Sequence, residues 1–477
     1  MKSLLVGNGI NIQFGNRAYT SEYIMKRIKY KAKLGYYDNL FGGKVTGDEI
    51  NEILNAFVKI TNDILDNKYD EYVIEDELKI ALVDFKGRYN KIRASHEIMI
   101  EDWLFVLHMF FLKESDIADN LKAAEQGFKS LILDGIYNDG KIQELYKSIP
   151  KKANKKVKRY FSSFDNIFTL NYDNNLELLI GKNVYHLHGD FSVLNNSENV
   201  NNVLGYIREE NNRRVLIEGM EHCFCNALLD YSGHHKLKEA TDNYQLIMNS
   251  ENLKEKYEND ENFKSDLLKS KHNKPEIYET IMTKINNPNL KMATEYYFKE
   301  FKEIEDELHI IGMSPNNDGH IFECIQNNRK IKKIYFYYYS ETDKSIIESM
   351  NYEGKYIPEK VTELWESLDF KKKKYNVNYK NLDERIDKFI DILNGFSGDN
   401  VSRDDIIWEV KSIPTFEAIR LCKLVKEDLE KRNPNHSLTD RDTFDKTRQS
   451  ISLIALSEGV LPSVLYALYI ICGNYMK

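Results

Sequence analysis

Lys2-Ser-Leu-Leu-Val-Gly-Asn-Gly-Ile-Asn11 is the stretch that decides the fold. A short apolar run ends at Gly7, and a second glycine follows at Gly9. Such a run reads as a buried strand entering a tight turn. Glycines there let the backbone come close to a pyrophosphate, with its N–H groups turned toward the anion. The pattern is incomplete as a dinucleotide fingerprint, because position 12 is Ile12. It is not a phosphate loop either, since no Gly-Lys-Ser/Thr follows. Alone, a turn that merely ends a strand explains it as well.

Three later segments repeat the theme of a strand that ends in polar or small residues. Residues 166–170 lead into Asn171-Tyr172-Asp173, residues 183–187 into His188-Gly189, and residues 308–312 into Met313-Ser314. Side chains at the ends of parallel strands point into the ligand crevice of an open sheet. Each segment also has a plainer reading. Asp173 or Asn174 can cap a helix, and so can Ser314 or Asn317. Strand alternation places His186 and His188 on one face, but no third metal ligand lies nearby in sequence.

Between these segments the periodicity is helical. After a polar stretch to about Gly47, Ile50, Ile53, Leu54, Phe57 and Ile60 recur at helical spacing behind Asp48 as a cap. Residues 75–85, 98–112 and 121–136 continue the block, with 98–112 apolar enough for a central helix. The basic run 151–159 reads as a solvated helix face, 174–180 as one or two helical turns, and 195–214 as a loop. A short strand is expected at 213–218, an insertion of polar surface helices at 236–291, and an aromatic-rich strand at 331–339. After about Tyr352 the strands stop. Lys371 to Lys374 reads as part of a linker, and helices are expected at 382–393, 404–410, 415–429 and 450–472. Strands alternating with helices imply an α/β fold with a mainly parallel sheet covered on both faces.

Composition narrows the class. A chain of 477 residues exceeds one small core, so two domains are expected. Hydrophobic residues at 42% support packed cores, and a net charge of -8 provides no overall field for nucleic acid or anionic lipid. The five cysteines are odd in number and scattered, which fits a reducing cytoplasm better than a secreted scaffold. Residues 451–472 are the most apolar stretch, but Glu458, Gly459 and Pro462 divide them, so a buried helix pair is expected rather than a membrane span.

Taken in order, Gly7-Asn8-Gly9, Asn171-Tyr172-Asp173, His188-Gly189 and Gly312-Met313-Ser314 resemble the motifs of sirtuins. They are more similar still to the sirtuin-like NAD hydrolases of bacterial anti-phage (abortive infection) defence. The resemblance spans roughly residues 1–340. It implies a Rossmann-like NAD-binding catalytic domain over residues 1–350, with helical insertions near 48–150 and 220–300. A helical domain for oligomerisation or regulation follows at 380–477. It also implies that Gly7, Asn8, Gly9, Asn11, Asp173, Gly312 and Ser314 bind the dinucleotide, with Asp173 at the nicotinamide end and Ser314 on the adenosine side. Asn171 and His188 would be catalytic. Histidine suits that part because its ordinary pKa of ~6.5 leaves a usable base near neutrality. Asn171 has a donor and an acceptor with which to hold a ribose hydroxyl and a water.

Two departures from protein-deacylating sirtuins matter. The paired Cys-x-x-Cys motifs of a zinc module are missing, and the first loop reads Gly-Asn-Gly rather than Gly-Ala-Gly. Both favour hydrolysis of NAD over deacylation. NAD is then a substrate and no metal is expected, since Cys223-Phe224-Cys225 is an awkward chelate even with His222, His234 and His235 nearby. The implied setting is cytoplasmic, with a homo-oligomer and a DNA-translocating ATPase or another defence protein as partners. Neither membrane nor direct nucleic-acid binding is expected. A non-catalytic NAD or ADP-ribose sensor, a scaffold subunit of a defence complex, and a deacylase are the competing readings.

Overall fold

A computed structural model of the chain describes residues 1–41, 43, 45–113, 121–191, 202–203, 206–207, 219–229, 233–350, 354–370, 390, 393, 402–413, 415–432 and 440–472. Six strands form one sheet: β1 Lys2–Val6, β2 Asn166–Thr169, β3 Tyr185–His186, β4 Asp306–Ile311, β5 Ile331–Tyr338 and β6 Tyr356–Lys360. Their order is β3-β2-β1-β4-β5-β6 and every pairing is parallel. A two-strand antiparallel pair, Asn202–Val203 with Tyr206–Ile207, is separate from it.

Both faces of the sheet are covered, as its apolar strands require. Leu4 and Val6 pack into one core while Leu5 packs into the other. This is the period-two alternation of a strand buried on two sides. The chain moves outward from β1 to β2 and β3, then returns to β1 and moves outward on the other side through β4, β5 and β6. That reversal is the switch point at which doubly wound sheets open a crevice beyond the strand ends.

The helical block between β1 and β2 supports one wall of the crevice. Its helix Gly47–Leu65 starts on Thr46, which forms a reciprocal capping box with Glu49. The cap is therefore two residues before the expected Asp48. Ile50, Leu54, Phe57, Ile60 and Ile64 turn inward at helical spacing. The supposed polar stretch before it is corrected too. Ser21–Lys33 is a helix whose Tyr23, Ile24, Met25 and Ile28 are buried. Its lysines and arginine conceal that face from a reading of polarity.

The sheet unit also runs further than residue 350. β6 pairs with β5 along five residues, and the helix Val361–Ser367 follows. Phe370 stacks on Phe14, with Trp365 against both, and closes the core to residue 370. Pro358 and charged neighbours make β6 look unlike a strand, but an edge strand tolerates both. Beyond, the described residues include the helices Arg403–Ser412, Thr415–Arg432, Asp440–Glu458 and Pro462–Cys472. They share a core that includes Ile406, Leu421, Val425, Ile451, Leu465 and Leu468. Their most apolar pair bends by 117°, and among the described residues no single helix is long and apolar enough to cross a membrane. The expected linker at Lys371–Lys374, the strand at 213–218 and almost all of the helix at 382–393 lie outside the described residues.

Candidate functional site

The crevice opens where β1 and β4 end side by side. Gly7 follows β1 and Gly312 follows β4, and the two loops touch backbone to backbone. A Cβ on Gly9 would lie 2.5 Å from the Gly312 Cα, and one on Gly7 would lie 2.7 Å from the Gly312 O. Gly312 itself has φ +74, a conformation that favours glycine. The glycines are therefore needed for close packing at the switch point.

Their N–H groups do a different job from the expected one. Gly7 N donates to Ile311 O at 3.0 Å, Gly9 N to Gly312 O at 2.8 Å and Ile10 N to Gly7 O at 3.1 Å. The first two amides stitch the loops together and the third closes the turn of the first loop, so none of the three faces an anion. Gly7, Asn8, Asn11, Gly312 and Ser314 nevertheless line the cleft, whereas Gly9 is not part of its lining.

Asn171 and Asp173 leave β2 in different directions. Asn171 faces the cleft and its Nδ2 donates to Gly7 O at 3.3 Å. Asp173 is buried behind the lining. It accepts from Asn11 Nδ2 at 2.6 Å and from the backbone of Asn175 at 3.1 Å. Burial raises its pKa, and the hydrogen bonds from Asn11 and Asn175 partly offset that. Asp173 thus orients Asn11 rather than meeting a ligand. Asn11 is left with a buried Oδ1 that has no hydrogen-bond partner among the described residues, directed by a fixed amide.

His186 and His188 do not share a surface. β3 ends at His186, and the chain turns through Gly189 at φ +83. His186 Nδ1 donates to Asn171 O at 2.9 Å and its Nε2 meets Glu177 at 2.5 Å. Burial opposes protonation, yet Glu177 wins and the pKa of His186 is raised. It orients the Asn171 backbone, with Glu177 as a structural acid. His188 instead enters the cleft floor, where its Nε2 is 3.1 Å from His320 Nε2 and its Nδ1 is 3.4 Å from Lys236 Nζ. Burial lowers the pKa of His188 well below the ordinary value, and Lys236 and His320 add to this. Burial and Lys236 lower that of His320 likewise, so both rings are neutral at neutral pH.

Asp318 completes this floor. It adopts φ +56 at the start of the helix Gly319–Asn327, so Asp318 and neither Ser314 nor Asn317 occupies the cap position. Burial pushes its carboxyl up to about 7, with Lys236 pulling down and Glu101 pushing up. His188, Asp318 and His320 offer ligand atoms that all lie within 4.8 Å of one another, the one such group among the described residues. The cysteines do not belong to it. Cys223 Sγ donates to Ser130 O, and His222 bonds Asp134.

Sequence reasoning missed Lys236, Glu101, Asp318 and His320 as site residues. Lys236 lies in a segment that reads as polar surface, yet it is 1% exposed. Glu101 precedes the apolar helix Asp102–Lys113 and enters the wall beside Met99 and Ile100. Only Asp318 and His320 carried a local signal, as polar residues just past a strand end. Comparison with protein-family models, with curated proteins and with solved structures finds no match to this chain.

Proposed function

We propose that the chain binds NAD in the β1/β4 cleft and hydrolyses it to nicotinamide and ADP-ribose, as an abortive-infection effector would to deplete the cell. One observation carries most of this reading. Asn11, Asn171, His188 and Ser314, drawn from four separate segments, line one cleft at the switch point of a parallel sheet. Asn11 Oδ1 supplies an unspent acceptor for a ribose hydroxyl or a carboxamide N–H.

The nicotinamide–ribose bond breaks through a cation-like ribose, so the site must hold the sugar, exclude bulk water and present one water. Asn171 is suited to hold a ribose hydroxyl and that water. Neutral His188 is suited to take the proton on Nε2 once Lys236 leaves its Nδ1, which then carries the ring proton, and Nε2 exchanges His320 for substrate. A second reading has support of its own. Both nitrogens of His188 are engaged and the ring is 1% exposed, which also fits a binding module that never turns NAD over. Incubating the purified chain with NAD and measuring free nicotinamide separates the two. The hydrolase reading expects release, with His188→Ala and Asn171→Ala each lowering it by ~100-fold, the scale of a positioned acid–base group. Binding without release supports the sensor.

A further inference from the structure

We propose that His188, His320 and Asp318 form a binding site for a borderline divalent transition metal, zinc being the probe of choice. The two imidazoles and a carboxylate come from separate places, the end of β3 and the loop and helix after β4. Their ligand atoms lie within 4.8 Å of one another at the cleft floor. Metal–nitrogen bonds of about 2.0–2.1 Å at tetrahedral or octahedral angles put two ligand nitrogens roughly 2.8–3.4 Å apart. The Nε2 atoms of His188 and His320 are 3.1 Å apart. Two imidazoles with one carboxylate suit zinc, iron or nickel rather than magnesium or calcium. His188 and Asp318 both line the cleft, so the remaining coordination positions open toward it.

Lys236 sets the terms of binding. With a metal on Nε2, the Nδ1 of His188 carries a proton and repels the Lys236 ammonium now 3.4 Å away. Glu101 Oε1 lies 4.0 Å from the same ammonium and is where it can move. Metal binding is therefore weakened by Lys236.

A metal here also occupies the nitrogen that would act as the base, so the metal-bound cleft is a resting form. That consequence rests on the hydrolase reading, but the metal site does not. Chain stripped with a chelator and dialysed against Zn²⁺ is expected to retain one zinc per chain, and Co²⁺ in its place is expected to give visible ligand-field absorption. His320→Gln and Asp318→Asn, each matched to the parent in melting temperature without metal, should weaken binding by ~10-fold or more. Lys236→Met should strengthen it. No zinc on either the parent or Lys236→Met would overturn the assignment, as would zinc undiminished in Asp318→Asn. That pair decides the matter even where His320→Gln does not fold. Zinc bound by a chain that releases no nicotinamide even after the metal has been stripped keeps the site and removes the hydrolase. Nicotinamide release unaffected by bound zinc overturns the resting form.

Discussion

The rim of the cleft and the clasp beneath the C-terminal helices both join distant segments, but they are built in opposite ways. At the rim Gly7, Gly9 and Gly312 meet with no side chain between them. At the clasp, side chains reach four successive carbonyls at the end of the helix Asp440–Glu458 and the turn after it. Arg27 donates to Leu456 O at 3.0 Å, Asn138 to Ser457 O at 2.9 Å, Asn16 to Glu458 O at 3.1 Å and Arg17 to Gly459 O at 2.6 Å. The last carbonyls of a helix have no partner within it, and cations near them also favour its dipole. The C-terminal helices are thus held by completing what a helix end leaves open. The rim cannot accept added atoms, and the clasp cannot lose any. The two are linked by one short segment, since Asn8 of the rim donates to Tyr19 O at 2.9 Å, just after Asn16 and Arg17.

The contrast breaks most sharply at Arg27. It is 2% exposed and also donates to Gly135 O at 2.6 Å and to Ala18 O at 3.3 Å. Arg27→Ala leaves three carbonyls without that donor, at about 1–3 kcal/mol for each buried group. A total loss of about 3–5 kcal/mol in urea unfolding is expected. A loss below ~1 kcal/mol would show that the clasp is held by apolar packing instead.

Gly9→Ala tests the rim. Its methyl would lie 2.5 Å from backbone, which cannot yield as a flexible side chain does. Overpacking of this kind costs about 1–3 kcal/mol, and the cleft should widen enough to weaken nucleotide binding. Parent-like stability and binding would mean that the loops are free to separate.

Asp134 sharpens the comparison with a third kind of joint, a buried ionic one. Its carboxylate accepts from Lys31 at 3.0 Å, Tyr37 at 2.7 Å and His222 at 3.0 Å. Burial opposes the charge, but His222 and Lys31 prevail and hold its pKa well below the carboxylate range. A depressed folded-state pKa gives stability that is present above the unfolded value near ~3.9 and is lost as pH falls below it. Asp134→Asn should therefore cost about 1–2 kcal/mol at neutral pH, and the gap to the parent should narrow in unfolding measured below pH ~4. A gap that stays constant with pH would remove the charge from the explanation.

Much of this architecture was legible where local chemistry decides it. The apolar run into Gly7, the later strands ending at Asn171 and Gly312, and the helices around Phe57 and Trp103 each announce themselves through periodicity and punctuation. β6 did not, because Pro358 and its charged neighbours suit an edge that only the tertiary sheet defines. In the site, Asn171, His188 and Ser314 stood out by their place after strands, and they do line the cleft. Asp173 stood out equally, yet it turns inward to hold Asn11, a choice made by the loop after β2. Lys236 gave no signal because it sits in a polar, charged first turn, and burial of one lysine there depends on a histidine 48 residues earlier. The clasp was also hidden, since acceptors on the main chain leave no mark in side-chain sequence.

The central claim is that the β1/β4 cleft is a nucleotide site, and hydrogen–deuterium exchange with and without saturating ADP-ribose tests it most directly. ADP-ribose lacks the bond to be broken, so the result does not depend on turnover. The account predicts slowed exchange concentrated in peptides covering residues 5–24, 169–174 and 311–321, with the C-terminal helices little changed. Slowed exchange confined to other parts of the chain, under conditions where binding is shown independently, would contradict it.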